Sequence, residues 1–267
     1  MPETRRQSRA RRRGGLSGSA GRRRALVLAA ALAVGACQRE PATPRIARTP
    51  TPLDPTTTGT IAGHIRFSGT PPPARRVAVT TDPTCVAAHP DGLVLTDVRG
   101  DDGMLADAFV YVARGLEDRV FAVPETPVVV DQRGCLFEPR VVGAQVGQRI
   151  EFVNSDDTLH NVHGAPTASP RWNFGLGATG ASRAVVIQHA EVPVDVRCEV
   201  HPWMRAALGV VDHPYFAVTG RGGAYTLAAV PAGRYVVAAW HPFLGRREQT
   251  VEVAAGAVST LDLTLAP

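Results

Sequence analysis

Residues 192–204 read VPVDVRCEVHPWM, and they join an alternating segment to a compact loop. Apolar residues occupy every second position up to Cys198, which places Cys198 on the buried face of a β-strand. The loop that follows, Cys198-x-x-His201-x-x-Met204, offers a thiolate, an imidazole and a thioether. Two histidines, one cysteine and a weak axial methionine are the ligands of electron-transfer copper sites. The stretch therefore predicts three of the four ligands of such a site.

The fourth ligand is predicted from the alternation in residues 154–163. If Val162 faces the core, period two turns His160 inward and His163 outward. His160 is therefore the predicted ligand, and His163 is kept in reserve. A buried Cys198 thiolate is costly unless it binds a metal. The competing interpretation is a buried free cysteine whose neighbours are unrelated to it.

Short alternating segments separated by Gly and Pro recur from Gly59 onward, and no long segment has helical periodicity. Many short strands at regular spacing predict an all-β protein built from β-sandwiches. The predicted strands include residues 59–67, 108–112, 128–130, 148–153, 192–198, 207–211, 224–228, 234–240, 250–253 and 259–265.

Residues 126–212 resemble the cupredoxins, and the amicyanin type most closely. The resemblance implies a Greek-key β-sandwich that holds one type 1 copper. It also implies that Asn161 joins the two ligand segments by hydrogen bonds and that the His201 ring is exposed through an apolar patch. In that patch Pro202 and Trp203 would form an electron port, although simple packing of the loop is the alternative for both. The residues that carry the resemblance are Phe137-Glu138-Pro139, Val146-Gly147, Phe152-Val153-Asn154, His160-Asn161-Val162-His163 and Cys198 to Arg205, and the implied ligands are His160, Cys198, His201 and Met204.

Residues 213–267 resemble a carboxypeptidase regulatory-like, or transthyretin-like, repeat. The resemblance rests on Gly223-Ala224-Tyr225-Thr226-Leu227, on Val230-Pro231-Ala232-Gly233 and on Ala239-Trp240-His241. This segment is short for a complete sandwich, and segments within residues 59–125 supply candidates for its missing strands. We therefore expect an all-β fold with a cupredoxin sandwich (126–212) and a second, smaller Ig- or transthyretin-like sandwich that is discontinuous.

The N-terminal residues have the pattern of an export signal. Residues 1–36 place an Arg-rich stretch before an apolar run that is too short to span a bilayer. Val34-Gly35-Ala36-Cys37 is similar to a lipobox, which predicts lipidation of Cys37; ordinary cleavage near Ala36 is the alternative. Residues 37–58 are rich in Pro and Thr and predict an extended tether. We expect an exported lipoprotein of the periplasm or cell surface, held to a membrane by its lipid.

Export implies an oxidising compartment, so a disulfide between Cys85 and Cys135 is expected. A second metal site formed by Cys85, His89 and Cys135 is the alternative, but Cys-x3-His is not a usual zinc spacing.

The formal net charge of +5 arises in residues 1–36, which hold nine Arg and one acidic residue; the remainder carries −3. A basic surface for nucleic acid is therefore not expected. No arrangement typical of a catalytic site is evident, so we expect no enzyme. The predicted function is electron transfer with a redox protein such as a cytochrome c or a periplasmic dehydrogenase. Copper delivery, or an interaction module with an incidental metal site, are the alternatives.

Overall fold

The structure is a computed structural model that describes residues 49–267. That part of the chain is built from short strands, with one α-helix, α1 (Pro83–Ala88), and a 3-10 turn at Pro55–Thr57. In chain order the strands are β1 (Thr58–Phe67), β2 (Arg75–Val77), β3 (Leu93–Leu95), β4 (Phe109–Arg114), β5 (Val128–Arg133), β6 (Leu136–Glu138), β7 (Val141–Gln145), β8 (Arg149–Asn154), β9 (His160–Gly164), β10 (Trp172–Leu176), β11 (Ser182–Val186), β12 (Glu191–Arg197), β13 (Arg205–Val211), β14 (Phe216–Val218), β15 (Ala224–Pro231), β16 (Gly233–His241), β17 (Gly245–Val253), β18 (Val258–Thr260) and β19 (Leu263–Leu265).

The first sandwich packs a five-stranded sheet, β10-β9-β12-β13-β7, against a four-stranded sheet, β11-β8-β5-β6. Alternation builds its core: in β8, Ile150 and Phe152 are buried while Arg149 is exposed. Val162 of β9 and Leu208 of β13 belong to the same core. Strand pairs β13–β7 and β5–β8 are parallel, and the remaining pairs are antiparallel. This is a cupredoxin-like β-sandwich, as predicted.

The second sandwich is assembled from strands on both sides of the first in the sequence. One of its sheets places β1 between β15 and β18, with β19 also paired to β1, and the other has the order β14-β4-β16-β17. Ile61 of β1 lies opposite Leu227 of β15, and both are buried with Ile65, Val110 and Val237 in one core. The prediction of an all-β fold with a second, discontinuous sandwich is confirmed.

Part of the predicted N-terminal β segment packs in the other sandwich. Val79, Cys85 and Leu93 are buried in the core of the first sandwich, and β2 and β3 pair nearby as a two-stranded antiparallel sheet. Helix α1 begins after Asp82, whose carboxylate accepts hydrogen bonds from the backbone N–H groups of Thr84 and Cys85. An aspartate cap followed by proline is a strong helix start, so this short helix has a defined position.

Two glycines let the sandwiches approach each other closely. Gly143 of β7 and Gly209 of β13 are paired in register. A Cβ added at Gly209 would lie 2.4 Å from the ring of Phe109, and one added at Gly143 would lie 2.5 Å from the ring of Phe216. These rings belong to the second sandwich, so the two glycines form a depression that receives them.

The end of β4, which precedes β5–β13 in the chain, lies beside the segment that follows β13. The Val112 backbone N–H donates to the Tyr215 carbonyl at 3.1 Å, and the His213 ring contacts the Val112 carbonyl at 2.7 Å. The chain segments that precede and follow β5–β13 therefore run side by side.

The predicted signal peptide, the lipidation at Cys37 and the beginning of the tether lie outside the described residues. Within residues 49–267, no helix combines the length and apolar character needed to cross a membrane.

Candidate metal centre

Three buried side chains converge at one end of the first sandwich. His160 begins β9, Cys198 follows β12 directly, and His201 lies in the loop that leads to β13. Their ligand atoms lie within 4.8 Å of one another. The Nδ1 atoms of His160 and His201 are 3.0 Å apart, and the Cys198 sulfur lies 4.0 Å from His201 Nδ1. Strand alternation produces the cluster, since His160 and Val162 share the inward face of β9.

The surroundings of the Cys198 sulfur favour its thiolate form. The backbone N–H groups of Asn161 and His201 donate to it at 3.4 and 3.3 Å. Burial alone raises the pKa of this thiol, but the interactions with His160 and these N–H groups outweigh burial and hold its pKa below the ordinary value. The thiolate is the form of cysteine that binds metals.

The donor set and the measured separations fit a single transition-metal ion. An ion in a protein site lies about 2.0 Å from a ring nitrogen and about 2.3 Å from a sulfur. At these separations it can contact His201 Nδ1 together with His160 Nδ1, or His201 Nδ1 together with the Cys198 sulfur. Met204 is fully buried in the same core as Cys198. Its backbone N–H donates to the His201 carbonyl at 2.9 Å, and its carbonyl accepts from the Cys198 N–H at 3.1 Å. These two backbone hydrogen bonds therefore close the loop from Cys198 to Met204.

A carboxylate orients the His160 ring from behind. His160 Nε2 contacts Asp156 Oδ2 at 2.8 Å, which leaves Nδ1 directed at the centre of the cluster. Metal-binding histidines commonly use their second nitrogen in this way. Burial lowers the pKa of His160, but Cys198 and Asp156 outweigh burial and raise it. At His201, burial and the neighbouring His160 together lower the pKa.

Asn161 and His163 have different positions relative to the cluster. The Asn161 side chain accepts from the Glu199 N–H at 3.2 Å and donates to the Phe174 carbonyl at 3.1 Å, so it joins the two ligand segments. His163 lies outside the cluster of His160, Cys198 and His201 and pairs with Glu199 at the surface.

The His201 ring is covered, in contrast to the exposed ring that the cupredoxin resemblance implies. It is 2% exposed, because Asp82 Oδ2 lies 3.5 Å and the Cys85 sulfur 3.6 Å from its Nε2. The expectation of an exposed His201 ring is therefore wrong. Pro202 is exposed. Trp203 is half-buried against His201, with ring centroids 5.2 Å apart, and its indole N–H donates to the Cys135 carbonyl.

Cys85 and Cys135 form a disulfide, with their Cα atoms 5.6 Å apart. His89 does not join them but contacts the Gly134 carbonyl at 2.7 Å. The alternative of a second metal site at these residues is therefore wrong, since the disulfide uses both sulfurs.

Asp82 and Asp156 also belong to this site, although no sequence pattern indicated either residue as part of it. Asp82-Pro83 is a helix-start pattern that could have predicted the cap of α1, but nothing in it places α1 over His201. Asp156 lies in an irregular segment between β8 and β9, where alternation does not predict the direction of a side chain.

No protein-family description and no curated protein matches the chain. Among solved structures, a Cu-containing nitrite reductase from Thermus scotoductus is 25% identical over 38% of this chain, with a TM-score of 0.30; the match spans 25% of the reductase. A Cu(I) mutant of amicyanin is 20% identical over 38% of this chain and 97% of its own, with a TM-score of 0.29. A purple cupredoxin from Nitrosopumilus maritimus is 18% identical over 31% of this chain and 98% of its own, with a TM-score of 0.27.

Proposed function

We propose that this chain is a type 1 copper protein that carries single electrons between redox partners. The observation that carries the proposal is the buried convergence of His160, Cys198 and His201, with two imidazole Nδ1 atoms and one sulfur directed at a common centre. Met204, buried at the end of the same loop, is the proposed weak fourth ligand. Bound copper would supply a one-electron couple.

The surrounding residues suit a site that changes little between oxidation states. Asp156 fixes His160, backbone N–H groups fix the Cys198 sulfur, and Asn161 joins the two ligand segments. A preorganised site needs little rearrangement when its charge changes. A complete set of four protein ligands also leaves no open position for a substrate, so we propose a carrier and not an enzyme.

Copper delivery is the second candidate, and one observation favours it. The covered His201 ring brings no ligand edge to the surface, which suits retention of the metal. For the carrier function, Pro202 and Trp203 remain the proposed electron port, because Trp203 contacts the His201 ring and is itself half-buried. The proposed partner is a cytochrome c or a periplasmic dehydrogenase, and the proposed location is the periplasmic or outer face of a membrane, through lipidated Cys37.

Loading the purified protein with Cu(II) tests the function. We expect one equivalent of copper, an intense blue thiolate-to-copper absorption band and an EPR spectrum with narrow copper hyperfine splitting. A fast, reversible one-electron couple in voltammetry would favour the carrier over delivery. A colourless protein with an ordinary tetragonal Cu(II) spectrum would contradict the type 1 assignment, and a blue protein with slow electron exchange would favour delivery.

His160 and His163 provide a matched pair of variants. His160→Ala should lose the blue band, because it removes one of the three converging ligands, whereas His163→Ala should keep it, because His163 pairs with Glu199 outside the cluster. Cu(II) titration followed by absorption measures both. If His163→Ala lost the band and His160→Ala kept it, the assignment of the histidine ligand would be wrong.

A further inference from the structure

Each of the two histidine rings meets a carboxylate at its outer nitrogen. His160 Nε2 contacts Asp156 Oδ2 at 2.8 Å, and His201 Nε2 lies 3.5 Å from Asp82 Oδ2. The His160 contact has the length of a hydrogen bond, whereas the His201 contact is longer and electrostatic. Both rings are therefore held from the side opposite to the proposed metal.

The two carboxylates are anchored on opposite halves of the Cys85–Cys135 disulfide. Asp82 caps the helix that carries Cys85, and Thr158 donates its hydroxyl to Asp82 Oδ2 at 2.5 Å. Asp156 accepts the backbone N–H of Cys135 at 2.8 Å and that of the preceding residue, Gly134, at 2.7 Å.

The backbone of the Cys135 turn explains its hold on Asp156. Gly134 and Cys135 form the two-residue loop between β5 and β6, with φ of 57° and 55°. Such a type I′ turn favours glycine, and a cysteine in the left-handed region is unusual. Successive N–H groups in this conformation make a concave binding site for an anion, which here is the Asp156 carboxylate.

We propose that the Cys85–Cys135 disulfide, together with Asp82 and Asp156, forms a cap that positions both histidine rings through Nε2 and closes the metal centre to solvent. The role in metal binding rests on the proposed function, but the closure is a property of the metal-free protein. Both cysteines of the disulfide are fully buried beneath the surface of the cap. Asp82 and Asp156 are thereby positioning residues.

Alkylation of Cys198 in the metal-free, full-chain protein tests the closure. The modified peptide is quantified by mass spectrometry, so that reaction at Cys37 does not interfere. We expect Cys85→Ala/Cys135→Ala and Asp82→Ala to raise the rate at Cys198 about tenfold or more, since each loosens the cover over a buried thiol. Asp82→Asn should raise the rate less than Asp82→Ala does, because asparagine caps helices as well as aspartate.

Asp157→Asn is the matched control, because this exposed neighbour of Asp156 offers only its backbone carbonyl to the α1 segment. It should leave the rate unchanged. Far-UV circular dichroism identifies variants that have unfolded. Equal rates in the unaltered protein and a folded double variant would overturn the proposal. If the double variant does not fold, equal rates in Asp82→Ala and the unaltered protein would overturn it.

Copper loss to an excess of a Cu(I) chelator provides a second readout. We expect the variants to rank in copper loss as they rank in Cys198 alkylation. Asp156→Asn should also lose copper faster than the unaltered protein, because an outer-shell partner of a ligand contributes about 10- to 100-fold to metal affinity. If the alkylation order holds in a protein that never forms a blue site, the proposed function fails while the cap stands. If a blue protein alkylates equally in all variants, the cap fails while the function stands.

Discussion

Copper-loaded Cys198→Ser protein is expected to be colourless. Its Cu(II) affinity should also fall. Loss of an outer-shell partner lowers metal affinity by about 10- to 100-fold, and loss of the thiolate ligand should lower it further. The blue band requires charge transfer from a thiolate sulfur. A serine hydroxyl supplies no sulfur, and it does not ionise near neutral pH. The site would keep its two imidazoles, so residual copper should give an ordinary tetragonal EPR spectrum.

Removal of the disulfide distinguishes loss of this ligand from general damage. The Cys85→Ala/Cys135→Ala protein lacks two sulfurs near the site but keeps all proposed ligands, so it should still turn blue when copper is added. Absorption and EPR spectra of both variants at equal copper loading are the measurement. A blue Cys198→Ser protein would exclude Cys198 as the copper thiolate.

Phe109→Ala is expected to lower the free energy of unfolding by about 3–5 kcal/mol. Its ring is fully buried where the two sandwiches meet, with the Phe216 and Tyr111 ring centroids 5.6 and 5.2 Å away. Gly209→Ala changes the other partner of the contact between Gly209 and the Phe109 ring. The new methyl group would meet the Phe109 ring at 2.4 Å, so we expect a loss of about 1–3 kcal/mol from overpacking.

The two changes should not be additive. In the Phe109→Ala/Gly209→Ala double variant the missing ring leaves room for the methyl group, so the loss should be smaller than the sum of the single losses. Urea unfolding of the metal-free protein, followed by circular dichroism, measures all three. Gly220→Ala is the control, because a Cβ there meets nothing within 4 Å. Full additivity would mean that the ring and the glycine do not depend on each other.

The alternation of apolar residues was enough to predict much of the candidate metal centre. It placed Cys198 at the end of a buried strand and selected His160 over His163, because period two determines which face of a strand a side chain occupies. The tight spacing of Cys198, His201 and Met204 predicted a single loop. The disulfide followed from the expected compartment and from the number of cysteines left outside that loop.

The cap could not be predicted in the same way. Asp82 precedes His201 by more than a hundred residues, and no local rule relates a short capped helix to a ring that far along the chain. The resemblance to cupredoxins implied an exposed His201 because it covered only residues 126–212. The segment that carries α1 lies outside that range. Burial of the ring depends on a contact between segments outside and inside the resemblance.

The side-by-side connections at Val112 and Tyr215 have a consequence for the order of folding. Strand β4 must find β14 and β16, which lie beyond β5–β13 in the sequence. While that insert is an unfolded chain, bringing its ends together costs entropy that grows with its length. Once it has folded, its ends are already adjacent, and the search is reduced to a short closure. We therefore expect the first sandwich to act as the folding template for the sandwich whose strands flank it in the sequence.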